Sequence, residues 1–238
     1  MFELLESALR LATPLLFAAM GGFLCERSGI ATICLEGVMI SGAWAAATVN
    51  YYSHSPWLGL LFAMMAGMLT ISLHAFLTIT ARADQIVSGV VVNLFAAGLT
   101  PLLNKAFFAS STNTAAIALP DRFHAIGIPF LENIPGLGPL LFHEKPLVYI
   151  ALLLPFALHW MTYRTGLGLR LLSSGDGPEA LRTTGVSPAK VRASALIIGG
   201  AIASLGGAFL ATSHSSQFTR DMTAGRGFIA LAALIFGK

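Results

Sequence analysis

Residues Arg164–Ala211 read RTGLGLRLLSSGDGPEALRTTGVSPAKVRASALIIGGAIASLGGAFLA. The stretch joins a basic, wet loop to a long apolar helix with a small residue at every fourth position. Asp176 or Gly177 stands where a helix N-cap belongs, Pro178 takes the first helical position, and Glu179 lies near the positive end. Gly185 closes the helix in the usual C-terminal way. Ser187 and Pro188 repeat the start signal. The pattern predicts a helix over 178–184, about seven residues and roughly 10 Å long, between two membrane spans. A short helix held by rigid flanks on the wet side of a bilayer is a docking piece.

Composition puts the rest of the chain in a membrane. Of 238 residues, 55% are hydrophobic and 11% charged, against about 25% charged in a soluble domain. Apolar segments lie at about 8–24, 30–49, 57–80, 86–104, 146–163 and 191–211, and a last begins near Gly227. Most reach the roughly 17–25 residues that cross a 30 Å hydrocarbon core. The fold class expected is all-α, a polytopic transmembrane helix bundle with a short cytoplasmic coupling helix, in one domain over 1–238. Ten residues from Gly227 to Phe236 span only about 15 Å, so the chain is expected to continue beyond Lys238 or to re-enter there.

Loop charge orients the bundle. Arg164, Arg170, Arg182, Lys190 and Arg192 outweigh Asp176 and Glu179, so 164–192 is expected inside. The 105–145 loop balances Lys105, Arg122 and Lys145 against Asp121, Glu132 and Glu144 and is expected outside; its prolines and glycines (Pro129, Pro135, Pro139 among them) mark a surface excursion. The N-terminus falls outside if 30–49 crosses, and inside if it is re-entrant. Tyr51, Tyr52 and Trp57 fit the outer interface, and Trp160 and Tyr163 the inner. Glu3 and Glu6 precede the first apolar run where a cleaved signal needs positive charge.

Small residues predict close helix contacts. Ala195, Gly199, Ala203, Gly207 and Ala211 form one stripe, with Gly200, Ser204 and Ala208 beside it. Gly37-Ser41-Ala45 and Gly89-Asn93-Ala97 are shorter versions.

The polar residues inside the spans are the site candidates. Glu36 falls within 30–49 among Gly29, Thr32, Gly37, Ser41 and Gly42, where the helix is expected to break. A carboxylate at that depth costs several kcal/mol unless it meets water or a partner. It is either part of a translocation path or a carboxylate bonded to backbone amides. Asn93 either bonds a polar solute or bonds a neighbouring helix. Ser41 joins them as a path candidate. His74 reads as a satisfied interior histidine rather than a proton relay, and Arg226 either caps a helix or faces the outer vestibule. Cys25 and Cys34 form no disulfide framework or metal pattern. No basic patch interleaves with aromatics, so nucleic acid is not an expected partner. There is no Gly-rich phosphate loop, no His-Glu-x-x-His and no Gly-x-Ser-x-Gly elbow, so neither catalysis nor direct ATP binding by that route is expected.

Three motifs together resemble one family. Leu24–Ala43, with its Glu26-Arg27-Ser28-Gly29 and Leu35-Glu36-Gly37 segments, resembles inner-membrane permeases of ABC importers of the simple-sugar and nucleoside branch, related to branched-chain amino acid permeases. Gly168-Leu169-Arg170, Pro178-Glu179-Ala180, Thr184-Gly185-Val186 and Gly206-Gly207-Ala208 are similar to that family's cytoplasmic loop and following helix. Met222–Ala233 is similar to its late signature. Thr32 and Cys34 stand where many relatives carry Asn and Gly.

The resemblance implies a bacterial inner-membrane permease subunit that is not itself an enzyme, with ATP bound by a partner ATPase. It also implies a second related permease and an extracytoplasmic substrate-binding lipoprotein, with membrane lipid around the spans. Pro178, Glu179, Ala180, Leu181, Arg182 and Gly185 would couple to the ATPase. The Glu-Arg-Ser-Gly and Leu-Glu-Gly wording is closest to the nucleoside-type subgroup, with a pentose or hexose as the alternative solute. Family members also usually continue through further helices, which fits an incomplete C-terminus. An ion-coupled transporter depending on Glu36 or His74, and an intramembrane enzyme using Glu36, are the rivals; neither needs the 178–184 helix.

Overall fold

Proline sets the start of four helices. Pro56, Pro146, Pro178 and Pro188 each take the opening helical position, where the missing N–H removes no bond. The computed structural model describes residues 2–127 and 143–237. Its helices are α1 (Phe2–Arg27), α2 (Leu35–Ser53), α3 (Pro56–Ala75), α4 (Gln85–Phe108), α5 (Pro146–Arg164), α6 (Gly166–Asp176), α7 (Pro178–Thr183), α8 (Pro188–Phe209) and α9 (Arg226–Phe236). π-helical turns extend α3 over Phe76–Thr80 and α8 over Leu210–His214. The only strands among the described residues are two-residue pieces, pairing Ile126 with Glu144 and Gly127 with His143. The chain is an all-α helix bundle.

Five of these helices are long and apolar enough to cross a membrane: α1, α3, α4, α5 and α8. They differ in place. In the most apolar stretch of α8, 78% of residues are buried, against 28% in α4 and in α5. So α8 is an inner helix, and α4 and α5 turn residues such as Leu94, Leu153 and Phe156 outward. The expected span 30–49 takes a different form. Helix α2 begins only at Leu35, after a non-helical lead-in, and packs against α3, α4 and α8. It is rich in Ala and Gly because helices rather than lipid surround it.

The small-residue stripe does what its spacing predicted. A Cβ added at Gly199 would lie 2.5 Å from the Gly21 carbonyl, and one added at Gly207 would overlap the Met39 carbonyl. Gly42 comes equally close to Ser204, so α1 and α2 both lie backbone-close to α8.

Contacts at the two ends settle the parity. Arg10 Nε donates to Glu144 Oε1 at 3.1 Å, which puts the N-terminal end of α1 beside the start of α5 and thus on the side of the 105–145 loop. Lys145 donates to the Ser213 carbonyl, tying that end to the exit of α8. Asp121 Oδ2 lies 2.7 Å from His54 Nδ1 at the end of α2. Residues 112–117 pair through backbone bonds with 216–220, including Ile117 N to Ser216 O at 2.8 Å. With 164–192 inside by its charge, the N-terminus is outside. Pro129, Pro135 and Pro139 lie outside the described residues.

The 164–192 region is more ordered than its reading as a loop. Leu167, Leu171 and Ser174 recur at helical spacing, and they form α6, opened by Thr165, whose Oγ1 accepts from Gly168 N at 3.3 Å. The expected helix 178–184 is present as the six-residue α7. Gly177, not Asp176, holds its N-cap position; Asp176 is the last residue of α6.

Candidate translocation site and coupling helix

The break before α2 builds the site. Helix α1 ends at Arg27, and Gly29, at φ +89°, turns the chain so that Ile30 N bonds back to Cys25 O at 3.3 Å. Residues 30–34 then run without helical bonding, with Ala31 exposed at the edge and Ile30, Thr32 and Cys34 buried in the bundle. Backbone groups at that depth need partners, and side chains of α3 and α4 supply them. Gln85 Oε1 accepts from Ala31 N at 2.8 Å. The Ala31 carbonyl lies 3.2 Å from His74 Nε2, which must therefore carry the proton, leaving Nδ1 to accept from Ser88 Oγ at 2.9 Å. Asn93 uses both ends of its amide: Nδ2 donates to Ile33 O at 3.0 Å and Oδ1 accepts from Gly37 N at 2.7 Å. His74 is a satisfied interior histidine, and Asn93 is the bracket that holds the start of α2. Asn93 lies two turns into α4, roughly 12 Å from its cytoplasmic start, so α2 begins well inside the bilayer.

Glu36 is in the first turn of α2, not in the middle of a span as the segment 30–49 suggested. Its carboxylate reaches a second broken element. After α8 the chain turns back from the outer end through 215–225 and opens α9 at the depth of Glu36. Glu36 Oε1 accepts from Gly225 N at 2.8 Å, and Oε2 accepts from Gly227 N at 2.7 Å. A carboxylate on the first free amides of a helix satisfies donors that the helix cannot and complements the positive end of its dipole. The approach needs glycine, since a Cβ on Gly227 would lie 2.5 Å from Glu36 N. From there α9 runs toward the cytoplasmic end, where Leu234 meets Gly22 of α1. Arg226 turns onto its own loop, Nη1 donating to Met222 O at 2.9 Å.

A cavity of about 220 Å³ lies where the starts of α2 and α9 meet, lined by Glu36, Gly37, Ile40, Asn93, Thr223 and Gly225 among others. The structure thus brings Glu36 and Asn93 together. It does not bring Ser41 to them: Ser41 Oγ donates to Val38 O and accepts from Thr70 Oγ1 at 2.9 Å, in the contact between α2 and α3. Thr223 and Asp221, which also lines the cavity, were not singled out from the sequence. The signal was there in the late signature Met222–Ala233, whose first residues supply the wall. Ser216, Asp221 and Ala224 all have positive φ, so the loop over the cavity is held in a strained form.

The basic end of the bundle holds the short helix α7. In α7, Leu181 is buried and anchors the helix, while Glu179, Ala180 and Arg182 are exposed. Arg182 Nη1 lies 2.8 Å from Glu179 Oε1 one turn back. Gly185, at φ +80°, ends the helix through its N–H to Arg182 O at 3.0 Å. Arg192, at the start of α8, was read only as a loop charge. Its guanidinium donates to Ser28 O from Nε at 3.1 Å and to Ser174 O from Nη2 at 2.7 Å. Ser174 Oγ also reaches Ser28 O at 3.3 Å. One side chain therefore ties α8 and α6 to the turn from which the broken lead-in to α2 departs.

Two helix starts that meet inside an apolar bundle, with a short capped helix at its basic end, fit a membrane transport protein of the permease class. Residues 4–238 match the family described as branched-chain amino acid transport system, permease component, and the chain belongs to that family. It is 36% identical over 234 residues to the nucleoside ABC transporter permease protein NupC of Lactococcus lactis subsp. cremoris, covering 95% of this chain and 73% of that one. It is 39% identical over 234 residues to the guanosine ABC transporter permease protein NupQ of Bacillus subtilis, covering 95% and 72%. It is 34% identical over 236 residues to the putative glucose ABC transporter permease protein TsgC13 of Haloferax volcanii, covering 99% and 70%. No solved structure matches. The chain is a multi-pass membrane permease subunit of an ABC transporter and not an enzyme.

Proposed function

We propose that this chain forms one side of the translocation path of an ATP-driven importer whose solute is a nucleoside. The names of two relatives, NupC and NupQ, carry the choice of solute. The cavity supports it. A half-helix start ordinarily favours an anionic group, but Glu36 already occupies the start of α9. What remains for a solute is a small pocket with apolar walls at Ile40 and Ala97 and polar groups at its edge, suited to a neutral molecule. A simple sugar is the second reading, favoured by the name of TsgC13.

In this reading ATP is bound by a partner ATPase, whose surface receives Pro178, Glu179, Ala180, Leu181, Arg182 and Gly185. A second related permease completes the path and a substrate-binding lipoprotein delivers the solute outside. A push on α7 reaches α8 through the short Gly185–Ser187 link. Arg192 passes it to the Ser28 turn, and the lead-in to α2 passes it to Glu36 and the start of α9. Close-packed helices transmit such a displacement because they compress little.

The test is uptake of radiolabelled guanosine, other nucleosides, glucose and ribose by cells carrying the complete transporter, with an active or a hydrolysis-dead ATPase. Nucleoside uptake that vanishes with the dead ATPase is the result expected. Sugar uptake alone would replace the solute, and uptake indifferent to the ATPase would remove the importer reading.

A further inference from the structure

A second cavity, of about 410 Å³, lies at the cytoplasmic end of the bundle between α1, α5, α6 and α8. Its floor is Leu24, Leu171 and Ala195, all buried. Leu167 and Ile198 form its outer walls, 67% and 52% exposed on the lipid-facing side. Along α8 it runs from Lys190 to Ile198, about 12 Å of helix. Arg170 and Lys190 stand at its cytoplasmic lip, and no carboxylate lines it. Neither cation has a hydrogen-bond or ion-pair partner among the described residues. Trp160 and Tyr163, both exposed, mark this level as the inner membrane interface.

An apolar trough entering the bilayer from beneath two free cations is complementary to an amphiphile with an anionic head. We propose that this groove binds an anionic phospholipid of the cytoplasmic leaflet, its phosphate held by Arg170 and Lys190 and one acyl chain laid along Leu167, Val191 and Ile198. The cytoplasmic leaflet concentrates such lipids, and basic pockets between spans on that side hold their headgroups. The bound lipid would brace α6 against α8, the two helices that Arg192 joins, and this holds whichever solute is carried.

The experiment is native mass spectrometry of the detergent-extracted transporter with its partner subunits, titrated with phosphatidylglycerol, phosphatidylethanolamine or inorganic phosphate. Phosphatidylglycerol is expected to bind and to be retained, phosphatidylethanolamine to bind far more weakly, and phosphate alone to leave no adduct. Arg170→Gln with Lys190→Gln should weaken phosphatidylglycerol about thirtyfold, the loss expected for two surface cations. Arg170→Lys with Lys190→Arg should keep it. Ile198→Trp, which fills the trough without changing charge, should also release the lipid, and it serves if the double variant fails to assemble. Equal retention by the Gln pair, or equal binding of phosphatidylethanolamine, would overturn the proposal. So would Ile198→Cys if it cross-links to a partner subunit while no lipid is retained, because a protein segment would then fill the groove.

Discussion

Glu36 and Gly227 stand 191 positions apart and touch backbone to backbone, with the Glu36 carboxylate bonded to the Gly227 amide at 2.7 Å. This contact joins the start of α2, which runs outward, to the start of α9, which runs inward. The wall of the central cavity exists only because these two broken elements meet.

Replacing Glu36 by Ala removes the acceptor of two amides, that of the buried Gly227 at about 1–3 kcal/mol and that of the half-buried Gly225 at less. Uptake should be lost and the melting temperature of the purified complex should fall. Glu36→Gln keeps one oxygen but turns an NH2 toward an N–H, so it should rescue little. Uptake by the Gln variant equal to wild type would show that the charge on the start of α9 is dispensable.

Gly227→Ala puts a methyl group into the Glu36 backbone, and it should reduce uptake at least tenfold, equivalent to about 1.4 kcal/mol, even though Ala is the better helix former. Gly98, in α4, is the control: a Cβ there has nothing within 4 Å. Gly98→Ala should be neutral or slightly stabilising by about 1 kcal/mol. If both variants behave alike in uptake and thermal melting, the close approach at Gly227 is not what matters.

Arg192→Lys keeps the charge but not the fork that spans two carbonyls. ATP hydrolysis by the complex should continue while hydrolysis-driven uptake drops severalfold. Loss of assembly with the ATPase, instead of loss of coupling, would make Arg192 a folding residue only; co-purification of the subunits distinguishes the two.

Gly185→Pro cannot take φ +80° and also loses the amide that closes α7. It should abolish uptake with membrane insertion intact, whereas Gly185→Ala, strained by about 1–2 kcal/mol, should keep part of it. Arg182→Glu, on the exposed face, should likewise uncouple. Normal uptake by the Pro and Glu variants would end the assignment of α7 as the docking helix.

Much of this was legible locally. The spans at 8–24, 57–80, 86–104, 146–163 and 191–211, the basic stretch 164–192 and the short helix opened by Pro178 all depend on hydropathy and capping, which act within a few residues. The reading failed where burial inverts those signals. Helix α2 is central, so small and polar residues replace the apolar run that lipid would require, and its start could not be placed. Helix α6 hid behind Gly168 and Gly175, which suit close packing against α5 and α1 as well as they suit a loop.

By itself the chain determined that it is a membrane bundle, which loop carries the basic charge and where a short capped helix opens at Pro178, because transfer into lipid and helix capping are properties of neighbouring residues. Only the tertiary structure decided what Glu36, Asn93 and Arg192 do. Their partners are 56 to 191 positions away for the first two and as far as 164 for Arg192. A buried polar group takes its role from the donor or acceptor that packing brings to it.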